Sequence, residues 1–106
     1  MSESIRLCSV SDIKPDTARR FDVGPHRIAL VRIGENEFFA IGDKCSHADY
    51  SLSEGEVYAD QYEIECWKHG STFSLKTGEP TVLPATKPVP TYEVKLNGDN
   101  IMVEIS

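Results

Sequence analysis

Apolar residues along this chain come in short runs broken by turn-forming residues. "IALV" at 28–31 and "YEVKL" at 92–96 show the habit: glycine, proline, asparagine or aspartate stands within a few positions of each. Such punctuation predicts strands rather than helices, at 5–9, 18–23, 27–33, 37–41, 56–59, 62–65, 72–74, 91–96 and 100–104. In "YEVKL" the period is two, which predicts one shared face for Tyr92, Val94 and Leu96. "GENE" after Ile33 and "NGDN" at 97–100 read as hairpin loops. One short helix is predicted near Ser11, with Ser11 as its cap and Pro15 as its stop. Long 3.6-residue periodicity is missing, so the predicted fold class is all-β, a small antiparallel sandwich or barrel. Three prolines in "LPATKPVP" at 83–90 keep that stretch out of a central ladder and make it a stiff loop or edge.

A chain of 106 residues is expected to form one domain, 1–106, with a modest core. Its 40% apolar and 26% charged residues are those of an ordinary globular protein. A net charge of −6 repels phosphate backbones, which argues against nucleic acid and suits a protein partner with a basic patch. "MSESIRLCSV" has no charged region followed by an apolar stretch, and no run is long enough to span a bilayer. The expectation is a soluble, cytoplasmic monomer that does not engage membranes. Three cysteines cannot make a full disulfide set.

The cysteines and histidines are distributed unevenly. "KCSHADY" at 44–50 holds Cys45 and His47; "ECWKHG" at 65–70 holds Cys66 and His69; eighteen residues separate His47 from Cys66. Thiolate and imidazole are standard ligands for zinc and iron. Two of them on one turn act as a claw, and two claws brought together give four ligands. Gly42 and Gly70 lie nearby and would let the backbone bend around an inorganic group. Cys8 and His26, by contrast, read as structural residues. A single tetrahedral zinc is one occupant for such a set, but familiar zinc fingers pair cysteine with cysteine and histidine with histidine. Mixed claws suit two adjacent irons, one taking both cysteines and the other both histidines, as in a Rieske [2Fe–2S] centre.

C-x-H, about eighteen residues, then C-x-x-H-G resembles the signature of Rieske iron–sulfur domains. The resemblance continues through "CWKHGSTFSLKTGEP" at 66–80, similar to the second cluster loop and following hairpin of Rieske-type ferredoxins, and "PATKPVPTYEV" at 84–94, similar to their proline loop and return strand. It implies a Rieske-like antiparallel β-sandwich or barrel with a small cluster-binding subdomain of two loops, at approximately 43–75. It also implies one [2Fe–2S] cluster held by Cys45, His47, Cys66 and His69. Respiratory Rieske proteins resemble the chain but carry an extra cysteine in each loop; Tyr50 and Lys68 stand at the matching positions, so that disulfide is absent. Many ferredoxins have proline where Trp67 stands. Ser71 matches a serine that bonds a bridging sulfide in the respiratory proteins. Tyr50 and Trp67 flank the claws, as docking surface or, more in keeping with their type, as core packing or loop support; Pro84 belongs to a loop that could cover the site.

With two thiolates and two neutral imidazoles, the oxidised centre carries no net charge and the reduced one a single negative charge. Rieske centres therefore sit at about −150 to +300 mV against roughly −400 mV for all-cysteine plant-type ferredoxins. The missing disulfide places this chain near the negative limit, and the outer imidazole nitrogens predict a midpoint that depends on pH in alkaline solution. Function follows from what is lacking. Once the cluster is built only His26 remains, too little for a mononuclear iron site, and no G-x-G-x-x-G stretch exists for a nucleotide. The expectation is a one-electron carrier and no enzyme, passing electrons from a flavin-dependent reductase to the terminal oxygenase of a ring-hydroxylating dioxygenase system or another redox acceptor. Alternatives are a ferredoxin of iron–sulfur cluster assembly, a small subunit of a nitrite reductase, and a structural zinc module.

Overall fold

An uninterrupted run of six buried residues, Ile28 to Ile33, forms the centre of the molecule. Strands buried on both faces read as continuous apolar runs, and this one has a different core on each side. In the computed structural model, which describes residues 3–44, 51–67, 70–81 and 87–105, the run belongs to β3 (His26–Ile33). It pairs antiparallel with β2 (Thr17–Val23) and β4 (Glu37–Gly42), and β8 (Thr91–Tyr92) extends the sheet beside β4. Ile28 and Leu30 point to one face and pack with Cys8, Ile13, Ile101 and Val103. Those residues come mainly from a second sheet of β1 (Glu3–Ser9), β10 (Asn100–Ile105) and β9 (Val94–Asn97). Ala29, Val31 and Ile33 point the other way, into a cluster with Leu52, Ile64, Cys66, Phe73, Leu75 and Val89. There the partner is a small sheet of β5 (Val57–Tyr58), β6 (Glu63–Glu65) and β7 (Thr72–Ser74).

The all-β antiparallel architecture is the one expected, with three corrections. The run at 91–96 is not one strand: it breaks at Glu93, so β8 joins the central sheet and β9 joins β10. Val94 and Leu96 keep their alternation within β9, but Tyr92 now belongs to another sheet and Leu96 is 49% exposed. The predicted helix is a single 3-10 turn, Val10–Asp12, and its cap is Ser9 rather than Ser11. The Ser9 N–H donates to Asp12 Oδ2 at 2.9 Å, because the reciprocal capping geometry needs an acidic residue three positions on. Tyr62 sits in left-handed backbone (φ 54°), so β6 starts one residue later than predicted.

Arg32, the one charged residue in the buried run, is held rather than free. Its guanidinium donates to the carbonyls of Ile13 and Glu35 at 2.8 Å each and lies over the Phe38 ring. Among the described residues no helix is long and apolar enough to cross a membrane.

Candidate metal centre

Cys66 follows β6 directly, and its position is fixed from both sides. Its own N–H donates to the Ser71 carbonyl (2.6 Å), and its carbonyl accepts from the Gly70 N–H (3.0 Å). The stretch 66–71 is thereby closed at its base and runs straight into β7, where Thr72 pairs with Glu65. Gly70 closes that turn in left-handed backbone, φ 77°, which strains residues with a Cβ. This is the physical reason a glycine follows the second histidine. Cys66 is fully buried, in no disulfide, and packed in the same cluster as Ile64, Phe73 and Leu52.

The first stretch is closed in a matching way. Lys44 and Ser51 form an isolated antiparallel bridge, and the Leu52 N–H donates to the Asp43 carbonyl at 2.6 Å. Residues 44 and 51, on either side of 45–50, are therefore held together. Leu52 then enters the core fully buried. A 3-10 turn, Leu52–Glu54, leads to Gly55, which meets the end of β6. A Cβ on Gly55 would lie 1.6 Å from the Glu65 carbonyl oxygen, and the Glu65 N–H donates to the Glu56 carbonyl at 2.9 Å. The chain leaving the first loop touches the residue just before Cys66. The eighteen-residue spacing is the length needed for this return: a 3-10 turn, β5, a second turn at Ala59–Gln61, and β6.

A third segment covers the same core. The Val89 N–H donates to the Gly78 carbonyl and the Gly42 N–H to the Pro90 carbonyl, both at 2.8 Å, so 87–90 runs between the turn after β7 and the end of β4, with Val89 in the Cys66 cluster. Thr81 pairs with Thr72 through both backbone and side chain.

Of the predicted site residues, the described part contains Cys66, Trp67 and Ser71. Cys45, His47, Tyr50, His69 and Pro84 lie outside the described residues. Among the described residues no three metal-binding side chains converge. Ser71 is fully buried, one closure away from Cys66. Trp67 is 47% exposed, which corrects its reading as core packing: it sits at the rim. A water-excluded thiol at the root of a glycine-closed loop suits a thiolate-bound inorganic group, whose softness favours sulfur and whose small net charge tolerates burial. Two residues that sequence reasoning passed over organise the region. Gly55 carries the close approach. Asp43 is fully buried just ahead of the first loop in sequence; its only signal there is a carboxylate two positions ahead of Cys45, directly after the apolar end of β4.

The two uncommitted residues read as structural are so placed. Cys8 is buried among Ile13, Leu30 and Ile101. His26 meets Tyr92 edge-on, with Nδ1 3.4 Å from the phenol oxygen.

A family model described as Rieske [2Fe-2S] domain matches residues 3–93. The ferredoxin component of biphenyl 2,3-dioxygenase from Rhodococcus jostii (strain RHA1) is 42% identical over 100 residues, covering 94% of this chain and 91% of that relative. Among solved structures, the ferredoxin of carbazole 1,9a-dioxygenase from Nocardioides aromaticivorans IC177 aligns with a TM-score of 0.90 at 37% identity, over 94% of this chain and 95% of that one. A chain in the complex of reduced oxygenase and oxidized ferredoxin in carbazole 1,9a-dioxygenase aligns with a TM-score of 0.85 at 38% identity, over 94% of this chain and 91% of that one.

Proposed function

The chain belongs to the Rieske [2Fe–2S] domain family, and on that footing we propose that it is the one-electron carrier of a ring-hydroxylating dioxygenase system. In this role it takes an electron from a flavoprotein reductase and delivers it to a terminal oxygenase. Its cofactor is the Rieske-type [2Fe–2S] cluster of the family. Cys45 and Cys66 would hold one iron and His47 and His69 the other. When bound, the cluster supplies one-electron redox chemistry. The protein's own residues supply the rest. Cys66 brings its sulfur into a region closed to water. Ser71 brings a buried hydroxyl to the base of the same loop, where donation to a sulfur would stabilise the reduced state. Trp67 offers an exposed aromatic face next to Cys66, the kind of anchor that protein interfaces favour.

The observation that carries this reading is the common root of the two loops. Leu52, which ends the first, and Cys66, which begins the second, are fully buried in one cluster, with Gly55 pressed on Glu65 between them. Such a root supports two claws that open from one place. Association with an oxygenase is supported by the likeness to the carbazole 1,9a-dioxygenase complex. The chain acts as a carrier and not as a catalyst, because once the four ligands are assigned only His26 remains among the histidines, and it packs against Tyr92.

The test is direct. Protein purified anaerobically, or reconstituted with ferrous iron and sulfide, is mixed with NADH, a flavoprotein reductase and a ring-hydroxylating oxygenase. The expected result is bleaching of the visible absorbance by the reductase and its recovery on adding the oxygenase, with a mixed-ligand Rieske EPR signal in the reduced state. A polypeptide that stays colourless after reconstitution overturns the reading.

A further inference from the structure

At residues 43, 51 and 53, which flank the first loop, lies a charge cluster that the ligand assignments leave unused. In β2 and β3 the side chains of Arg20, Asp22 and Arg27 share one face, because Arg27 pairs with Asp22 and Arg20 with Ala29. Further along β3 the same face carries Ala29, Val31 and Ile33 into the Cys66 cluster. The polar end of the face meets Asp43. One carboxylate oxygen, Oδ1, accepts the Ser53 N–H at 2.8 Å. The other, Oδ2, is buried, has no hydrogen-bond partner among the described residues, and lies 3.7 Å from both Arg20 Nε and Arg27 Nη2. The same two guanidinium groups converge on Ser51, whose Oγ accepts from Arg27 Nη2 at 3.2 Å and from Arg20 Nη1 at 3.4 Å. Asp43 is also tied through its backbone, donating to the Arg27 carbonyl at 2.9 Å.

Every one of these contacts ends on residue 43, 51 or 53, the two feet of the loop that holds Cys45 and His47. A fully buried carboxylate is costly unless it is compensated, and a well-packed apolar residue would serve folding as well. Retention of the charge therefore points to placement of the loop. We propose that Asp43 is a positioning residue for the first cluster loop: with Arg20, Arg27 and Asp22, which pairs with Arg20 at 3.0 Å, it forms a charge-balanced clamp that fixes both feet and so presets Cys45 and His47 for iron. The inference rests on the reading of those two residues as ligands.

Asp43→Asn keeps an oxygen for the Ser53 N–H and nearly the same shape, but removes the charge that faces the arginines. In the reconstituted protein it is expected to lose iron to a chelator at least tenfold faster than the wild type, followed by the fading visible absorbance. Its EPR g-anisotropy should change and its midpoint should rise, since a negative charge has been taken from beside the centre. The g-values would not move if Asp43 served the fold alone. Ser51→Ala, on the surface side of the clamp, guards against a variant that fails to fold; it should speed iron loss about threefold and shift the g-values in the same sense. If both variants match the wild type in chelation rate, g-values and midpoint, the clamp has no role in setting the loop and the inference fails. A wild type that takes up no cluster is a different result, for it overturns the ligand assignment on which the inference stands.

Discussion

Cys8 and Cys66 are buried almost equally, 5% and 0% exposed, yet their surroundings differ in kind. Cys8 lies mid-ladder in β1, opposite Ile101 and just past a bulge at Leu7, with paired residues before and after it. Its chain neighbours go on into regular structure, and burial raises its thiol pKa above the ordinary value of 9.0. Cys66 ends a strand. Its backbone is spent closing a loop, its neighbour Trp67 is exposed, and the residue that completes the closure, Ser71, is fully buried. Burial alone therefore does not distinguish the proposed ligand from a core residue. A departure from the ladder next to an obligatory turn does, because strand pairing fixes a side chain in the core whereas a closed loop frees it to face a common point.

The contrast is tested most severely by replacing each thiol. Cys66→Ser should abolish the Rieske EPR signal completely while leaving a folded chain by circular dichroism; a signal of wild-type shape and intensity would remove Cys66 from the ligand set. Next in size is Gly55→Ala. The added methyl would collide with the Glu65 carbonyl, and such overpacking costs about 3 kcal/mol when backbone must move. Denaturant melts should show that loss, and cluster retention should fall with it; a neutral outcome would mean that the two loop roots are not held together at this point.

Cys8→Ala should cost about 1–2 kcal/mol through a small cavity and leave the EPR spectrum untouched. It also carries a pH signature. Because the folded thiol's pKa is raised, the unfolded chain loses its proton first. The contribution of Cys8 to stability is therefore complete below pH 9 and declines as pH rises through and beyond the ordinary thiol range. The wild-type-minus-variant difference in unfolding free energy should shrink from pH 8 to pH 10.5, and a constant difference would show that burial does not perturb the thiol. The smallest effect is expected at Ser71. Ser71→Ala removes one buried hydroxyl bond worth about 1 kcal/mol, which corresponds to a midpoint lower by about 40 mV for one electron. An unchanged titration would show that the hydroxyl is directed elsewhere.

Much of this was legible in residue order, and the reason is range. Period-two runs, hairpin loops and a C-x-H or C-x-x-H claw are all set within about six residues, where side-chain alternation and turn geometry decide the outcome. The boundaries of β2, β3, β4 and β7 therefore agree with expectation to within a residue or so. The run at 91–96 misled because its alternation is compatible with one strand, while the break at Glu93 serves two sheets at once. For Trp67 the core-packing alternative fails, because indole is usually buried and nothing local in the sequence marks this one as exposed.

By itself the sequence determined the all-β class, the spacing of the two cysteine–histidine pairs and the glycine that the second loop requires. Those follow from chemistry and from backbone sterics over a few bonds. Only the tertiary structure decided that the chain leaving the first loop presses on Glu65, that Val89 roofs the Cys66 cluster, and that Arg20 and Arg27 reach Asp43 and Ser51. Each of these joins segments well separated along the chain. Which of them meet is settled by how the two faces of β3 share out the apolar surface, and that choice is made by the whole core together.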